Sequence, residues 1–298
     1  MSLKRLSGRV GTALTSLTAG LTGTMAAASA AQPHDWQMVM QPAVTDVMDD
    51  IIWFNNFTLV IAAIIVLLVF GLLMVCMIRF NARANPQPSK TSHNTLIEVI
   101  WTVVPIMVLV IIAVPSFRLL YKQVEIPPAE VTIKATGNQW YWGYEYADAG
   151  DVSFEAVMLS DDERAEAISN GAKADDVPRL LATDYQVVVP VDKVVRLQVT
   201  AEAVIHAWAM PAFGVKIDAV PGRLNETWFK ARKIGTYYGQ CSELCGKDHA
   251  FMPIMVKVVS DEQYTAWLEA AKDDVDAANK LLASMENAAK SKTKVAAR

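Results

Sequence analysis

The chain has 298 residues, 27 Lys and Arg against 31 Asp and Glu, and a formal net charge of −4 with 53% hydrophobic residues. An acidic balance of this kind excludes the basic footprint that a nucleic-acid partner needs and suits a basic protein partner, whose association falls as salt rises. The chain also lacks a CxxCH haem-attachment motif, a catalytic-triad pattern and a Gly-rich phosphate loop, which argues against a reaction centre of its own.

Residues 1–30 read as an export signal: Lys4, Arg5 and Arg9 precede a mildly apolar stretch rich in Ala, Leu and Thr, and Ala28-Ser29-Ala30 offers a small-residue cleavage site. A third membrane span is the competing reading of that stretch. Cleavage removes three of the 27 basic residues and no acid, leaving 24 against 31 and a net charge of −7. Residues 31–56 then form an external N-terminal segment, with His34 beside the cleavage site.

Phe57 to Ile78 carries no charge and is long enough to cross a bilayer, and Val99 to Phe117 is a second such run, with Pro105 and Pro115 inside it. Together they predict a transmembrane hairpin over 57–119. Arg79, Arg83 and Lys90 lie in the connection and Asp46, Asp49 and Asp50 precede the first span, so the connection faces the cytoplasm and both ends face outside. Cys76 within the first span reads as a small apolar packing residue. Glu98 stands at the cytoplasmic start of the second span, where an acid is otherwise ordinary surface.

After a linker around Glu125 to Pro128 the chain turns strand-like. VTIKATGNQWYWGYEY, YQVVVPVDKVVRLQVT, FGVKIDAV, ETWFKARKIGTYYGQ and PIMVKVV hold short β-branched or aromatic runs punctuated by Gly and Pro, the pattern of a small antiparallel barrel or sandwich. Residues 147–182 are polar and acidic and read as an irregular insertion between strands. Ser260 with Gln263 forms a capping-box pattern followed by Tyr264, Trp267, Leu268 and Ala271 at helical spacing, predicting a C-terminal helix over 261–288 and a disordered tail over 289–298.

The densest chemistry lies in Cys241-Ser-Glu-Leu-Cys245-Gly-Lys-Asp-His249-Ala-Phe-Met252. Thiolate, imidazole and thioether make a soft donor set suited to copper, whereas magnesium or calcium calls for oxygen ligands. A disulfide between Cys241 and Cys245 is one alternative, since an exported chain meets an oxidising compartment, although so short a loop is a poor staple. Zinc is another, but it rarely takes methionine. His206, in an apolar segment directly after the strand-like run 193–200, is the remaining histidine able to join the cluster, because His34 and His93 lie near the signal and between the spans.

IHAWAMPAFGVKIDAVPGR (205–223) and YYGQCSELCGKDHAFMPIMV (237–256) resemble the copper-binding domain of subunit II of the haem-copper cytochrome c oxidases, and GNQWYWGYEY (137–146) resembles the aromatic segment of that family. With the two spans in their expected positions, the resemblance covers nearly the whole mature chain. It implies an α+β membrane protein of the bacterial cytoplasmic membrane: a two-helix transmembrane hairpin, an all-β cupredoxin-like domain over 129–260 on the periplasmic side, and a C-terminal helix.

It further implies a dinuclear copper A centre, bridged by Cys241 and Cys245 and bound by His206, His249, Met252 and the backbone carbonyl of Glu243, with the Glu243 carboxylate at a magnesium site shared with the catalytic haem-copper subunit I. Trp140 is implied to receive the electron from cytochrome c, with Glu145, Asp148 and Asp151 as docking charges, and Glu98 to lie at the entrance of a proton-uptake path. On this reading the chain relays electrons while a partner subunit of the oxidase reduces oxygen and pumps protons. Two positions depart from the family pattern: Ala203 stands where an aspartate is common, three residues before His206, and Asn138 replaces a frequent histidine.

Other classes fit less well. A quinol-oxidase subunit II lacks the copper ligands that this chain retains, a copper-delivery protein lacks the added His249 and Met252, and a soluble nitrous oxide reductase lacks the hairpin.

Overall fold

The computed structural model describes residue 33, residues 36–150 and residues 152–296. The signal reading over 1–30, His34 and Asp151 fall outside the described residues.

Two long helices come first. Helix α1 spans Asp46–Arg79 and helix α2 spans Thr95–Val124. Each begins at a side-chain cap: Thr45 accepts from the Met48 amide, and Asn94 accepts from the Ile97 amide. Asp46 and Asp49 in the first turn of α1 and Arg79 in its last complement the helix dipole. Both helices are long and apolar enough to cross a membrane, and their most apolar stretches are not buried within the chain.

At 1.5 Å per residue α1 is about 51 Å long, well beyond the roughly 30 Å of a hydrocarbon core. The expected external segment 31–56 is partly helical, because α1 starts eleven residues before the apolar run. The first turns of α1 dock on the β domain. The Val44 amide donates to the Ala212 carbonyl at 3.0 Å, Thr45 Oγ1 donates to the Phe213 carbonyl at 2.7 Å, and Arg232 pairs with Asp46 at 2.8 Å and with Asp49. From α2, Lys122 pairs with Asp50, and its carbonyl accepts from Trp228 Nε1 at 3.2 Å.

The β domain is a sandwich of two five-stranded sheets. One sheet contains β1 (Val131–Asn138), β2 (Tyr141–Tyr146), β3 (Ser153–Ala156), β5 (Val195–Ala201) and β8 (Asn225–Phe229), in the order β3-β2-β1-β5-β8. The other contains β4 (Val187–Pro190), β6 (His206–Met210), β7 (Val215–Ala219), β9 (Gly235–Cys241) and β10 (Pro253–Val259), in the order β4-β10-β9-β6-β7. Strict alternation of buried and half-buried residues along β1 and β5 aims Ile133, Ala135, Leu197 and Val199 into the space between the sheets. There they meet the fully buried Trp142, Trp208, Phe213 and Phe229.

The antiparallel expectation needs correction. β1 runs parallel to β5, and β10 runs parallel to β4, so each sheet is mixed. Parallel neighbours need a long crossover, and the stretch between β3 and β4 helps supply it. The chain from 152 to 182 is also more ordered than the irregular insertion expected over 147–182: it contains β3, which pairs with β2, and helix α3 (Asp161–Ser169). Ser160 and Glu163 form a reciprocal capping box at the start of α3, and the hydrogen bonds from Ser160 hold the Glu163 carboxyl below its ordinary range.

The C-terminal region is likewise two helices where one was expected. Helix α4 (Asp261–Ala271) starts at the Ser260–Gln263 capping box and buries Trp267 against Tyr146, ring centroids 5.3 Å apart. Helix α5 (Val275–Ala296) folds back on it and runs through most of the stretch expected to be a disordered tail. Its amphipathic spacing supplies the reason: Ala278 and Leu282 are fully buried against the domain.

Candidate metal centre

The cysteine loop is closed at both ends by paired strands. Cys241 is the last residue of β9, directly opposite Trp208 of β6, and β10 starts one residue after Met252. The Cys241 amide donates to the Met252 carbonyl at 3.3 Å and the Ser242 amide to the Ala207 carbonyl at 3.0 Å. β9 presses so closely on β6 that a Cβ at Gly239 would lie 1.9 Å from the Ala209 carbonyl oxygen, so only glycine fits there. His206 opens β6 and is fully buried.

These strands bring the donor atoms together. Cys241 Sγ and Cys245 Sγ lie 3.8 Å apart, and both cysteines are free thiols. His206 Nδ1 is 3.8 Å from Cys241 Sγ, His249 Nδ1 is 3.5 Å from Cys245 Sγ, Met252 Sδ is 3.6 Å from Cys245 Sγ, and the Glu243 carbonyl oxygen is 3.3 Å from Cys241 Sγ. Cys241, Cys245 and Met252 are buried, whereas the Glu243 side chain is exposed.

Without a metal the Cys245 thiol and the His206 imidazole are held uncharged. Burial, reinforced by the neighbouring Cys241, pushes the Cys245 thiol up to about 12. Two adjacent thiolates are thus disfavoured in the protein alone, and a soft metal ion supplies the charge that stabilises them. Burial lowers the pKa of His206, and the nearby His249 lowers it further. That keeps the imidazole neutral, the form that ligates metal. His206 Nε2 is buried without a hydrogen-bond partner among the described residues. The donor set therefore fits copper in its composition and its convergence.

Two aromatic residues of the segment after β1 frame the cluster. Trp140, between β1 and β2, donates from Nε1 to the Cys245 carbonyl at 3.1 Å, and Lys247 Nζ lies 5.8 Å from the centre of its ring. Trp142 on β2 donates to the Met252 carbonyl at 3.3 Å and meets the His206 ring edge-on at 6.0 Å between centroids. Trp142 was not singled out from the sequence; nor was Gly137, whose missing side chain makes room for the imidazole. A Cβ there would lie 2.8 Å from His206 Cδ2.

The remaining expected residues are dispersed. Glu145 on β2 is paired with Lys134 of β1 at 2.8 Å, and Asp148 is exposed just after β2. Glu155 and Glu202, both exposed and missed in the sequence, flank Tyr141 next to Trp140 in a shallow cleft of about 500 Å³ that also includes Lys134 and Glu145. The Tyr141 phenol is held above its ordinary range by desolvation first, and then by the Glu155 carboxylate and by Glu202. Ala203 is exposed beside Glu202, and Asn138 donates to the Thr136 carbonyl at 3.2 Å. Glu98 lies in the first turn of α2, exposed, at the end of the hairpin away from the cluster.

Comparison with known proteins gives two family matches. Residues 131–259 match "Cytochrome C oxidase subunit II, periplasmic domain", and residues 33–119 match "Cytochrome C oxidase subunit II, transmembrane domain". The probable cytochrome c oxidase subunit 2 of Rickettsia bellii is 51% identical over 83% of this chain and 88% of its own length, and the cytochrome c oxidase subunit 2 of Cereibacter sphaeroides is 45% identical over 89% and 93%.

Among solved structures, the periplasmic domain of cytochrome oxidase subunit II of Bradyrhizobium japonicum is 56% identical, covering 51% of this chain and 99% of its own, with a TM-score of 0.45. A subunit II domain in a mixed disulfide intermediate with a thioredoxin-like protein is 55% identical, covering 51% and 97%, with a TM-score of 0.42. With the hairpin and the sandwich both matched, and with half of the aligned positions identical to a relative spanning most of the chain, this protein belongs to the cytochrome c oxidase subunit II family.

Proposed function

We propose that this chain is the electron-accepting subunit of a cytochrome c oxidase, taking electrons from cytochrome c at a dinuclear copper A centre and passing them to the haem-bearing catalytic subunit I, where oxygen reduction is coupled to proton pumping. The observation that carries the reading is the convergence of two free thiols 3.8 Å apart with a histidine Nδ1 beside each sulfur, at 3.8 and 3.5 Å. A copper pair bound there supplies a one-electron carrier whose charge is shared between two metals.

The protein's own contribution is rigidity and a path. Cys241 and His206 belong to paired strands, and the Met252 carbonyl is tied to the Cys241 amide and to the Trp142 indole, which supports a rigid donor arrangement. Little reorganisation is then needed when charge arrives. Trp140 joins the surface to the cluster through its hydrogen bond to the Cys245 carbonyl, which suits it to receive the electron.

Glu155 and Glu202 act with Asp148 and Asp151 as docking charges for a basic donor, while Glu145, already paired with Lys134, contributes less. The Glu243 carbonyl serves copper and its exposed carboxylate serves magnesium at the contact with subunit I; Glu98 opens a proton-uptake path on the cytoplasmic side. The hairpin anchors the chain in the bacterial cytoplasmic membrane after signal cleavage, with the sandwich in the periplasm. There the cysteine pair is open to oxidation, and a thioredoxin-like reductant keeps both thiols ready for metal.

The test is copper stoichiometry and electron paramagnetic resonance of the detergent-solubilised chain, alongside Cys241→Ser and Cys245→Ser. Two coppers sharing one unpaired electron, lost in either variant because a hydroxyl cannot replace the bridging soft anion, is the expected result. A normal two-copper signal in either variant refutes the assignment.

A further inference from the structure

A cavity of about 480 Å³ lies between the two long helices at their end nearest the sandwich, lined by Asp50, Trp53 and Phe54 of α1 and by Pro115, Arg118 and Lys122 of α2. Its depth in the membrane follows from helix geometry. Arg118 is twenty residues beyond Glu98, about 30 Å along α2, which is the thickness of a hydrocarbon core. With Glu98 at one boundary, the Arg118 guanidinium sits at the opposite boundary, at headgroup level. Trp53 stands four residues before the apolar run of α1, a position typical of aromatic residues at the membrane–water boundary.

The charges in the cavity do not cancel. Lys122 is engaged with Asp50, whereas Arg118 makes no ion pair among the described residues. The Trp53 indole N–H has no hydrogen-bond acceptor among the described residues, and its ring, stacked on Phe57 at 5.4 Å, is 57% exposed. With the Asp50 carboxylate engaged by Lys122, two donors of the cavity have no partner among the described residues, one of them a guanidinium whose fork matches phosphate oxygens. The other wall, Phe54 and Pro115, is apolar and continues into the bilayer-facing surfaces of both helices.

We infer that this cavity is a binding site for the phosphate headgroup of an anionic phospholipid from the outer leaflet, with Arg118 and Trp53 donating to the phosphate and an acyl chain lying along Phe54 and Pro115. A free inorganic phosphate has no use for that apolar wall. A lipid here also packs beneath the contacts of Asp46 with Arg232 and of the Lys122 carbonyl with Trp228 that join the helices to the sandwich. The inference depends on the hairpin crossing the membrane and is independent of the metal centre.

The experiment uses the whole oxidase carrying this subunit, purified in mild detergent. Lipids retained after washing are identified by native mass spectrometry, and rebinding is measured in nanodiscs of phosphatidylcholine with or without phosphatidylglycerol. The expected result is that Arg118→Gln retains phosphatidylglycerol about fivefold less tightly, the factor for one cation at a membrane surface. Arg118→Lys keeps most of the retention, Trp53→Phe loses part of it, and added inorganic phosphate does not compete. Equal phosphatidylglycerol retention in wild type and Arg118→Gln overturns the inference. So does loss of a neighbouring subunit from Arg118→Gln with lipid unchanged, which would make the partner of Arg118 a carboxylate of that subunit.

Discussion

Gly137→Ala probes how tightly the sandwich fixes the first imidazole. The new methyl carbon would lie 2.8 Å from His206 Cδ2 and 2.9 Å from Cγ. Carbon atoms in contact need at least about 3.5 Å, so the shortfall is about 0.7 Å. Neither side can retreat easily: Gly137 is paired with Trp142 on one flank and Ala201 on the other, and the His206 ring is fully buried against Trp142.

Overpacking of this kind costs about 1–3 kcal/mol, or about 3–12 °C in the melting temperature of a domain of this size. The metal site suffers more, because metal–ligand distances tolerate only about 0.2 Å. The expected outcome for the detergent-solubilised Gly137→Ala chain is a folded protein that melts lower and binds copper with an altered or single-copper resonance signal. Gly143→Ala on β2 is the control, since its nearest side-chain neighbour, Asn138 Nδ2, would be 3.5 Å away in ordinary contact. Copper content, resonance signal and melting temperature indistinguishable from wild type in Gly137→Ala would refute the packing argument.

Trp140→Gln should slow electron transfer from cytochrome c to the copper-loaded domain while leaving binding nearly intact, whereas Glu155→Gln with Glu202→Gln should weaken binding and flatten its salt dependence; stopped-flow kinetics over a range of ionic strength separates the two. Asp184 accepts from the Val157 and Tyr185 amides, both at 2.7 Å, yet burial outweighs those bonds and raises its pKa. A raised carboxyl pKa favours the folded state at low pH and loses that advantage as pH climbs through the folded-state value. Asp184→Asn, which keeps the acceptor oxygen, should therefore melt at or above wild type near neutral pH and lose its advantage in acid, as thermal melts from about pH 3 to pH 7 would show. Arg232→Met removes the pairs to Asp46 and Asp49 at a half-exposed site and should cost only about 0.5–1 kcal/mol. Faster hydrogen exchange at the Val44 and Met48 amides is the expected signature, and unchanged exchange would assign the docking of α1 to its hydrogen bonds alone.

The sequence by itself determined the parts whose physics is local. Twenty-two uncharged residues from Phe57 to Ile78 are long and apolar enough to cross a membrane, the Ser260–Gln263 box signals a helix start, and soft donors spaced as Cys241, Cys245, His249 and Met252 are legible as a candidate metal site before any fold is known. The same capping rule applied at Ser160 and Glu163 would have found α3, and the spacing of Ala278 and Leu282 would have extended the C-terminal helices.

Tertiary structure alone decided what depends on residues far apart in the chain. β1 and β5 are joined across some sixty residues, and no local pattern encodes a parallel register. Gly137 reads as an ordinary strand glycine until β6 brings His206 against it, and Glu145 reads as a free docking charge until β1 presents Lys134 beside it. Glu155 and Glu202 lie forty-seven residues apart in the chain and become neighbours around Tyr141 only when β2 and β3 pair and the end of β5 arrives next to β1. Side-chain chemistry is written residue by residue, but close approach and charge compensation arise only when strands distant in sequence share a sheet.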